Sequence, residues 1–316
     1  MFDTILLILL GVFSLRDLIS QNISIPKHKK WSWLFYNRKD LYDIPYCYQL
    51  SKKAEEKEML NASSKDIISK LLAVLGKHTT FFQEKIYYSR MRKEMTEYFI
   101  NTHEAVHDSS DALIMCDALR RLFIACQEEK KCEFDFVISL KNGNSHLVHK
   151  LCDQYLDDLI HVSYHTKNEW YSPVAPSNSS DNSNGRRLQF ENIKALFEAA
   201  ESSSEPLTGI ILDCSFSSGK GLLSCIDDFN NMLKDEKDKN ILPIQNCCVL
   251  YSHIDNDIRD QAKERGCDLS YYFTLNEAIR KEIYDEITKK DSRAEKEQGI
   301  ADVIKNMKEQ HLIIQE

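Results

Sequence analysis

Residues 209–223, with the sequence GIILDCSFSSGKGLL, decide how this chain folds. The segment begins with an apolar run at 210–212, continues through Asp213 and several hydroxyl-bearing residues, and ends in two glycines that flank Lys220. Short apolar runs bounded by turn residues are typical of strands that are buried on both faces of a parallel sheet. The Gly and Ser residues that follow predict a loop leading into a helix.

Strand-like and helix-like patterns alternate on both sides of this segment. The predicted strands are FDFVISL (134–140), IHVSYH (160–165), LTGIILDCS (207–215), NCCVLYSHI (246–254) and LSYYFT (269–274). Amphipathic helical patterns separate these strands, so the alternation runs from about residue 109 to residue 287. This order predicts an α/β fold, a Rossmann-like parallel sheet with helices on both faces.

The two ends of the chain have other patterns. Apolar residues at helical spacing in 63–78 and an aromatic-rich stretch at 81–106 predict a mostly helical N-terminal region covering residues 1–108. The α/β domain then occupies residues 109–290, and the charged residues 291–316 predict a helical tail on the surface or against a partner.

Composition limits the class of protein. The chain is 42% hydrophobic and 28% charged, which is enough apolar material for a packed core. The formal net charge is −8 and there is no long basic run, so nucleic-acid binding is not favoured. The 10 cysteines lack the spacing of zinc ligands, and several stand inside apolar runs. We interpret them as reduced structural residues and expect a cytoplasmic protein.

The apolar segment TILLILLGVFSL (4–15) needs a separate interpretation. It is shorter than the roughly 20 residues that span a bilayer, and it lacks the basic start of a secretory signal. We interpret it as a buried helix, with membrane or partner contact as the alternative.

The carboxyl ends of parallel strands are where ligands bind in such sheets. SFSSGKG (215–221) offers hydroxyls, backbone N–H groups and a helix N-terminus, which together suit a phosphate group. It lacks the spacing of a P-loop, and an ordinary strand-to-helix turn can have the same composition. Asp213 adds a second signal, because a carboxylate at a strand end has to face a ligand, a cation or water.

The stretch 209–219 resembles the signature of type I phosphoribosyltransferases, in particular the orotate branch. That signature has apolar residues, two acids, two variable residues, two Thr or Ser residues and a glycine. Here Asp213 matches the first acid, and Cys214 takes the place of the second. The resemblance covers about residues 109–287. Beyond the signature it includes the first strand and pyrophosphate loop (134–155), the second strand and the catalytic loop that follows it (165–187), and the late strands (249–279).

The resemblance implies a glycosyltransferase that binds phosphoribosyl pyrophosphate (PRPP) or a nucleotide through 213–219 and transfers phosphoribose to a nitrogenous base. It implies Mg²⁺ carried on the pyrophosphate, with no metal ligand predicted among the side chains. The implied catalytic residues are Asp213 and Lys167. The implied PRPP- or phosphate-binding residues are Ser215, Ser217, Ser218, Gly219, Lys220, Lys141, Asn142, Gly143, Arg186 and Arg187.

Departures from the family pattern support an alternative. Cys214 removes one of the two acids, and the pyrophosphate loop has Lys141 with the single Gly143. Such changes favour a catalytically inactive regulator or interaction module, for example an accessory protein of a bacterial toxin–antitoxin or phage-defence system. Its protein partner would bind the N-terminal helices or the C-terminal tail. His146 and His149, three residues apart, are interpreted as ordinary helix residues rather than half of a metal site.

Overall fold

The computed structural model describes residues 64–89, 94–141, 145–165, 190–216, 219–235, 240–253 and 257–314. The prediction for the apolar segment 4–15 therefore concerns residues outside the described part of the chain. All described residues belong to one compact unit, residues 56–316.

Two sheets are found within these ranges. The strands are β1 (Thr79–Ser89), β2 (Glu94–Ile100), β3 (Phe136–Leu140), β4 (Ile160–Tyr164), β5 (Phe190–Glu191), β6 (Gly209–Phe216), β7 (Asn246–Ser252), β8 (Asp268–Ser270) and β9 (Phe273–Thr274). β1 and β2 form an antiparallel pair. The other strands form one sheet in the order β5-β4-β3-β6-β7-β8, and β9 also pairs with β7. Its strand pairs are parallel except for β5, which runs antiparallel to β4.

Helices connect these strands. They are α1 (Ser64–Lys77), α2 (Thr102–His107), α3 (Ser109–Lys130), α4 (Ser145–Tyr155), α5 (Ile193–Ser202), α6 (Lys220–Asp235), α7 (Asp257–Glu264), α8 (Glu277–Ile283), a π-helical turn (Tyr284–Thr288) and α9 (Arg293–Glu309).

The predicted fold class is confirmed, because a mostly parallel sheet lies between two helical layers. Every residue of β3, β6 and β7 is buried, as their continuous apolar runs predicted. One apolar cluster joins α1, α2, α3, α4, α8 and α9 to one face of the sheet. A second cluster joins α5, α6 and α7 to the other face.

The N-terminal region is only partly helical, which corrects one prediction. The helix expected at 63–78 is present as α1, but most of the stretch 81–106 belongs to the hairpin β1–β2. In β2, the side chains of Thr96, Tyr98 and Ile100 are buried while those between them are half-buried. Burial at every second residue is the pattern of a strand, and aromatic and β-branched residues favour that structure.

The tail contains the helix α9. Ser292 and Glu295 form a capping box at the start of α9. Val303, Ile304 and Met307 are at most 3% exposed and belong to the same apolar cluster as α1 and α3. The apolar side of this helix therefore packs against the core of its own chain.

The cysteines that the structure describes are all free, and each is buried except the half-buried Cys132. Their interpretation as structural residues holds for this part of the chain. In the same part, no helix combines the length and the apolar character needed to cross a bilayer.

Candidate functional site

The carboxyl ends of β3, β4, β6 and β7 lie at one edge of the sheet because these strands are parallel. Helices α4, α6 and α7 follow β3, β6 and β7, and so begin at this edge. The unpaired N–H groups and the dipole of a helix N-terminus favour an anion there. This carboxyl edge is where the sequence predicted the ligand.

Gly219 fixes the turn between β6 and α6. Its φ is +64°, and a Cβ atom placed on it would lie 2.6 Å from the side chain of Ile258 in α7. Both the backbone conformation and the close approach require glycine. The carbonyl of Gly219 accepts a hydrogen bond from the N–H of Leu223 at 2.9 Å, which starts the first turn of α6. Ser217 and Ser218 lie outside the described residues.

Asp213 lies deeper in the sheet than its sequence context suggested. β6 continues to Phe216, because Ser215 and Phe216 still pair with β7. The Asp213 side chain is 1% exposed, and its Oδ1 accepts a hydrogen bond from the backbone N–H of Cys214 at 2.7 Å. The carboxylate is therefore inside the strand rather than at its end. Its predicted catalytic role stays a prediction.

Cys214 points to the opposite face from Asp213, since consecutive strand residues alternate. It is fully buried in the apolar cluster that includes α3 and α4. This burial, with smaller effects from Asp213 and Cys116, raises the pKa of its thiol well above the usual value. The position at which the sequence resemblance predicts a second acid is thus part of the core. Ser215 is on the same face as Asp213 and is 9% exposed.

Lys141 and His165 lie at the carboxyl edge, next to the carboxylate of Glu191. Lys141 follows β3, and its Nζ donates a hydrogen bond to Oε2 of Glu191 at 2.8 Å. Nε2 of His165, after β4, lies 3.4 Å from the same oxygen. The Lys141 hydrogen bond, followed by that of His165, lowers the pKa of Glu191. Lys220, the first residue of α6, is exposed at the same edge.

Glu191 was missed by the sequence analysis. It falls in a stretch that reads as helical, whereas the structure places it in the two-residue strand β5. The pairing of Tyr164 with Phe190 then brings Glu191 beside the ends of β3 and β4. No local spacing in the sequence signals this antiparallel return.

The remaining predicted site residues fall outside the described part of the chain. They are Asn142, Gly143, Lys167, Arg186 and Arg187. The residues that flank the predicted catalytic loop are described, and they pair with each other across β4 and β5. The chain therefore leaves the sheet and returns to it at the carboxyl edge.

Arg280 is a second residue that the sequence analysis missed. It is 3% exposed, and its Nη2 lies 3.0 Å from Nδ1 of His253, directly after β7. The same guanidinium donates to the carbonyl of Leu275 and to the carboxylate of Glu277. In the sequence Arg280 resembles any charged helix residue. In the structure it holds the end of β7 against the start of α8.

A polar cleft of about 550 Å³ lies away from these residues. It is lined by the end of α3, by α7 and by β8, including Lys130 and Asp268. Asp268 pairs with Asn246 at the start of β7, so the cleft is at the amino end of the strands. Within the described ranges, no three or more His, Cys, Asp or Glu side chains are arranged to hold a metal ion.

Comparisons with known proteins find similarity among solved structures. No protein-family model and no curated protein matches the chain. Similar structures include a UMP synthase from Leishmania donovani, with 11% identity and a TM-score of 0.46 over 78% of this chain and 43% of that chain. This chain thus spans less than half of that protein.

Two further similar structures are phosphoribosyltransferases. An orotate phosphoribosyltransferase from Aeropyrum pernix is 10% identical with a TM-score of 0.44, over 68% of this chain and 96% of that chain. An adenine phosphoribosyltransferase from Saccharomyces cerevisiae is 10% identical with a TM-score of 0.37, over 64% and 97%. Likeness of this extent assigns neither a substrate nor an activity to this chain.

Proposed function

We propose that the carboxyl edge binds the phosphate groups of PRPP or of a nucleotide, which makes this chain a phosphoribosyltransferase-like protein. The observation that carries the proposal is the turn at Gly219, which starts α6 directly after β6. A phosphate at this turn would meet the N-terminus of a helix, the Lys220 ammonium and the predicted hydroxyls of Ser217 and Ser218.

The ion pairs of Glu191 suggest how a second anionic group would be held. Lys141 and His165 both lie within 3.4 Å of the Glu191 carboxylate, and all three side chains are about half exposed. An incoming pyrophosphate would compete with Glu191 for these two side chains. A Mg²⁺ ion carried on the pyrophosphate would neutralise part of its charge.

Transfer of phosphoribose is the finer part of the proposal. In that reaction the bond from the anomeric carbon to pyrophosphate breaks, and a bond to a nitrogen of the base forms. Separated charges then have to be stabilised, a role proposed for Lys167 and Asp213. Asp213 is 1% exposed, so it reaches a ribose hydroxyl only if the groups that cover it move.

Cys214 favours a second candidate function, a regulator that binds the same ligands without transfer. Because Cys214 is fully buried in an apolar cluster, nothing at this position replaces the missing acid. Release of pyrophosphate from PRPP in the presence of a nucleobase distinguishes the enzyme from the regulator.

Calorimetric titration of the full chain with PRPP and Mg²⁺, and with nucleoside monophosphates, tests the proposal. We expect Lys220→Gln to weaken binding, and Lys305→Gln, at an exposed site on α9, to leave it unchanged.

Glu191→Gln should tighten binding by about two- to fivefold, because it releases Lys141 and His165 from a half-exposed ion pair. Glu198→Gln, which removes the exposed partner of Lys194, is the matched control. Absence of binding by the unmodified chain would refute the proposal.

A further inference from the structure

Two histidines of the short helix α2 lie one turn apart and face each other. Nε2 of His103 and Nε2 of His107 are 3.3 Å apart, and their ring centroids are 4.4 Å apart. Both side chains are exposed. Residues four apart lie on the same side of a helix, which is also how two histidines bind one zinc ion in helical motifs.

The distance between the two nitrogen atoms suits a shared metal ion. Zn–N bonds are about 2.0–2.1 Å long, and the tetrahedral angle between two such bonds separates the nitrogens by about 3.3–3.4 Å. The separation of 3.3 Å between His103 and His107 falls in this range without any movement of the helix. We propose that these two imidazoles form a surface site for a divalent transition metal ion of the zinc type.

His146 is the candidate for a third ligand. Its ring centroid lies 4.9 Å from that of His107, although it belongs to α4. No group of three side chains in the described part of the chain already has the geometry of a metal site. The proposed ion is therefore held by His103 and His107, with water molecules as its remaining ligands. His146 is the side chain available to replace one of these water molecules.

Glu104, which lies between the two histidines in the sequence, makes its described contacts with other residues. The Glu104 carboxylate accepts a hydrogen bond from Nδ2 of Asn101 at 3.1 Å and lies 3.9 Å from Nδ1 of His78. Without metal, one imidazole can donate a hydrogen bond to the other, as their separation allows. The metal-free hydrogen bond and the proposed metal site use the same two nitrogen atoms. They differ in whether a metal ion is bound, so a metal-binding measurement distinguishes them.

Titration of the full chain with Zn²⁺, followed by calorimetry, tests the inference. Mutating a residue that only hydrogen-bonds to a metal ligand typically lowers metal affinity by about 10–100-fold. Because His103 and His107 are the proposed ligands themselves, His103→Ala and His107→Ala should each weaken Zn²⁺ binding by at least about tenfold. His146→Ala should have a smaller effect. His311→Asn is the matched control, because His311 is exposed on another part of the chain and its φ of +55° suits asparagine.

The cysteines require a second readout, since thiolates also bind zinc. Titration with Co²⁺ gives a visible spectrum that distinguishes nitrogen from sulfur ligands. A spectrum with sulfur ligation, or equal Zn²⁺ affinity of the unmodified chain and a His103→Ala/His107→Ala variant, would overturn the inference. The site does not depend on the proposed PRPP binding, so the two can fail separately.

Discussion

Gly219 and Gly266 have the same kind of backbone conformation in different surroundings. Their φ angles are +64° and +75°, both in the left-handed region. A Cβ atom on Gly219 would meet Ile258 at 2.6 Å, whereas one on Gly266 would have no atom within 4 Å. The pair therefore separates the cost of the backbone conformation from the cost of a steric contact.

Alanine substitution at the two glycines should give unequal losses. Gly266→Ala should reduce the free energy of unfolding by about 1–2 kcal/mol, the cost of a left-handed conformation. Gly219→Ala should reduce it further, because Ile258 has to move, and it should also weaken PRPP binding. Urea denaturation and calorimetry measure the two effects, and equal losses of stability would contradict the role of the Ile258 contact.

Placing an acid at position 214, where the sequence resemblance predicts one, should destabilise the protein. Cys214→Asp places a carboxylate in an apolar cluster where Cys214 is fully buried, so we expect a loss of about 3–5 kcal/mol. Cys214→Ser, which adds a neutral polar group, should cost about 1–3 kcal/mol. Urea denaturation of both variants checks this order. A Cys214→Asp variant as stable as Cys214→Ser would contradict the cost expected for a carboxylate in this apolar cluster.

From the Gly and Ser residues after the strand, the sequence predicted a loop leading into a helix, and the family resemblance implied Gly219 as a phosphate-binding residue. The left-handed backbone of Gly219 and its contact with Ile258 are known only from the structure. The burial of Asp213 was not predicted, because an unpaired carboxylate was expected to face a ligand, a cation or water, although the predicted strand already reached Ser215, one residue short of the observed end at Phe216. Only its pairing with β7 shows where β6 ends.

At the scale of the elements, the short strand β5 brings together charges that are far apart in sequence. It places Glu191 within hydrogen-bonding distance of Lys141, fifty positions away. The resulting contacts lower the pKa of Glu191. The ion pair thus stabilises the fold above the unfolded-state pKa of Glu191, and this contribution is lost as the pH falls through the lower folded-state pKa.

Lys141→Gln should raise the pKa of Glu191 toward its usual value of 4.5, because the hydrogen bond from Lys141, the main cause of the lowered pKa, is removed. The change in stability should stay below about 0.5–1 kcal/mol, since the pair is exposed. Carboxyl resonances followed by NMR during an acid titration measure the shift. Lys194→Gln, which removes the exposed partner of Glu198 instead, is the control for the loss of a charge. An unchanged Glu191 pKa in Lys141→Gln would mean that the ion pair does not form in solution.

Whether a segment forms a strand or a helix could be predicted where a single apolar pattern dominates its sequence. The apolar runs of β3, β6 and β7 identified the central strands, and those strands are buried throughout. The stretch 81–106 was assigned to helix because it follows the helical pattern of 63–78, although its aromatic residues favour strands. Only its burial at every second residue in β2 distinguishes it as a strand.

At the scale of the whole molecule, one core extends past the limits expected for the α/β domain. α1 and α9 contribute to the same apolar cluster as α3 and β6. The alternation of strands and helices predicted the parallel sheet, but a one-dimensional pattern does not say which helix covers which face. The described part of the N-terminal region and the tail therefore have a structural role that sequence reasoning did not assign.

Substitutions in α9 should measure this role. Met307→Ala removes a fully buried side chain and should cost about 2–5 kcal/mol. Ile300→Ala, on the same helix but only half-buried, should cost less. Urea denaturation of the full chain compares them. If both variants kept the stability of the unmodified chain, α9 would not be part of the folding core.

The buried cysteines have a consequence for following the motions of the protein. Burial raises the pKa of Cys152 and of Cys267 to about 12, so these thiols react slowly while they remain enclosed. A thiol reagent can modify them only after the surrounding elements open. Cys152 lies in α4 and Cys267 directly before β8, so their rates of modification would report separately on the opening of two regions of the sheet. The native chain thus contains its own chemical probes of local unfolding.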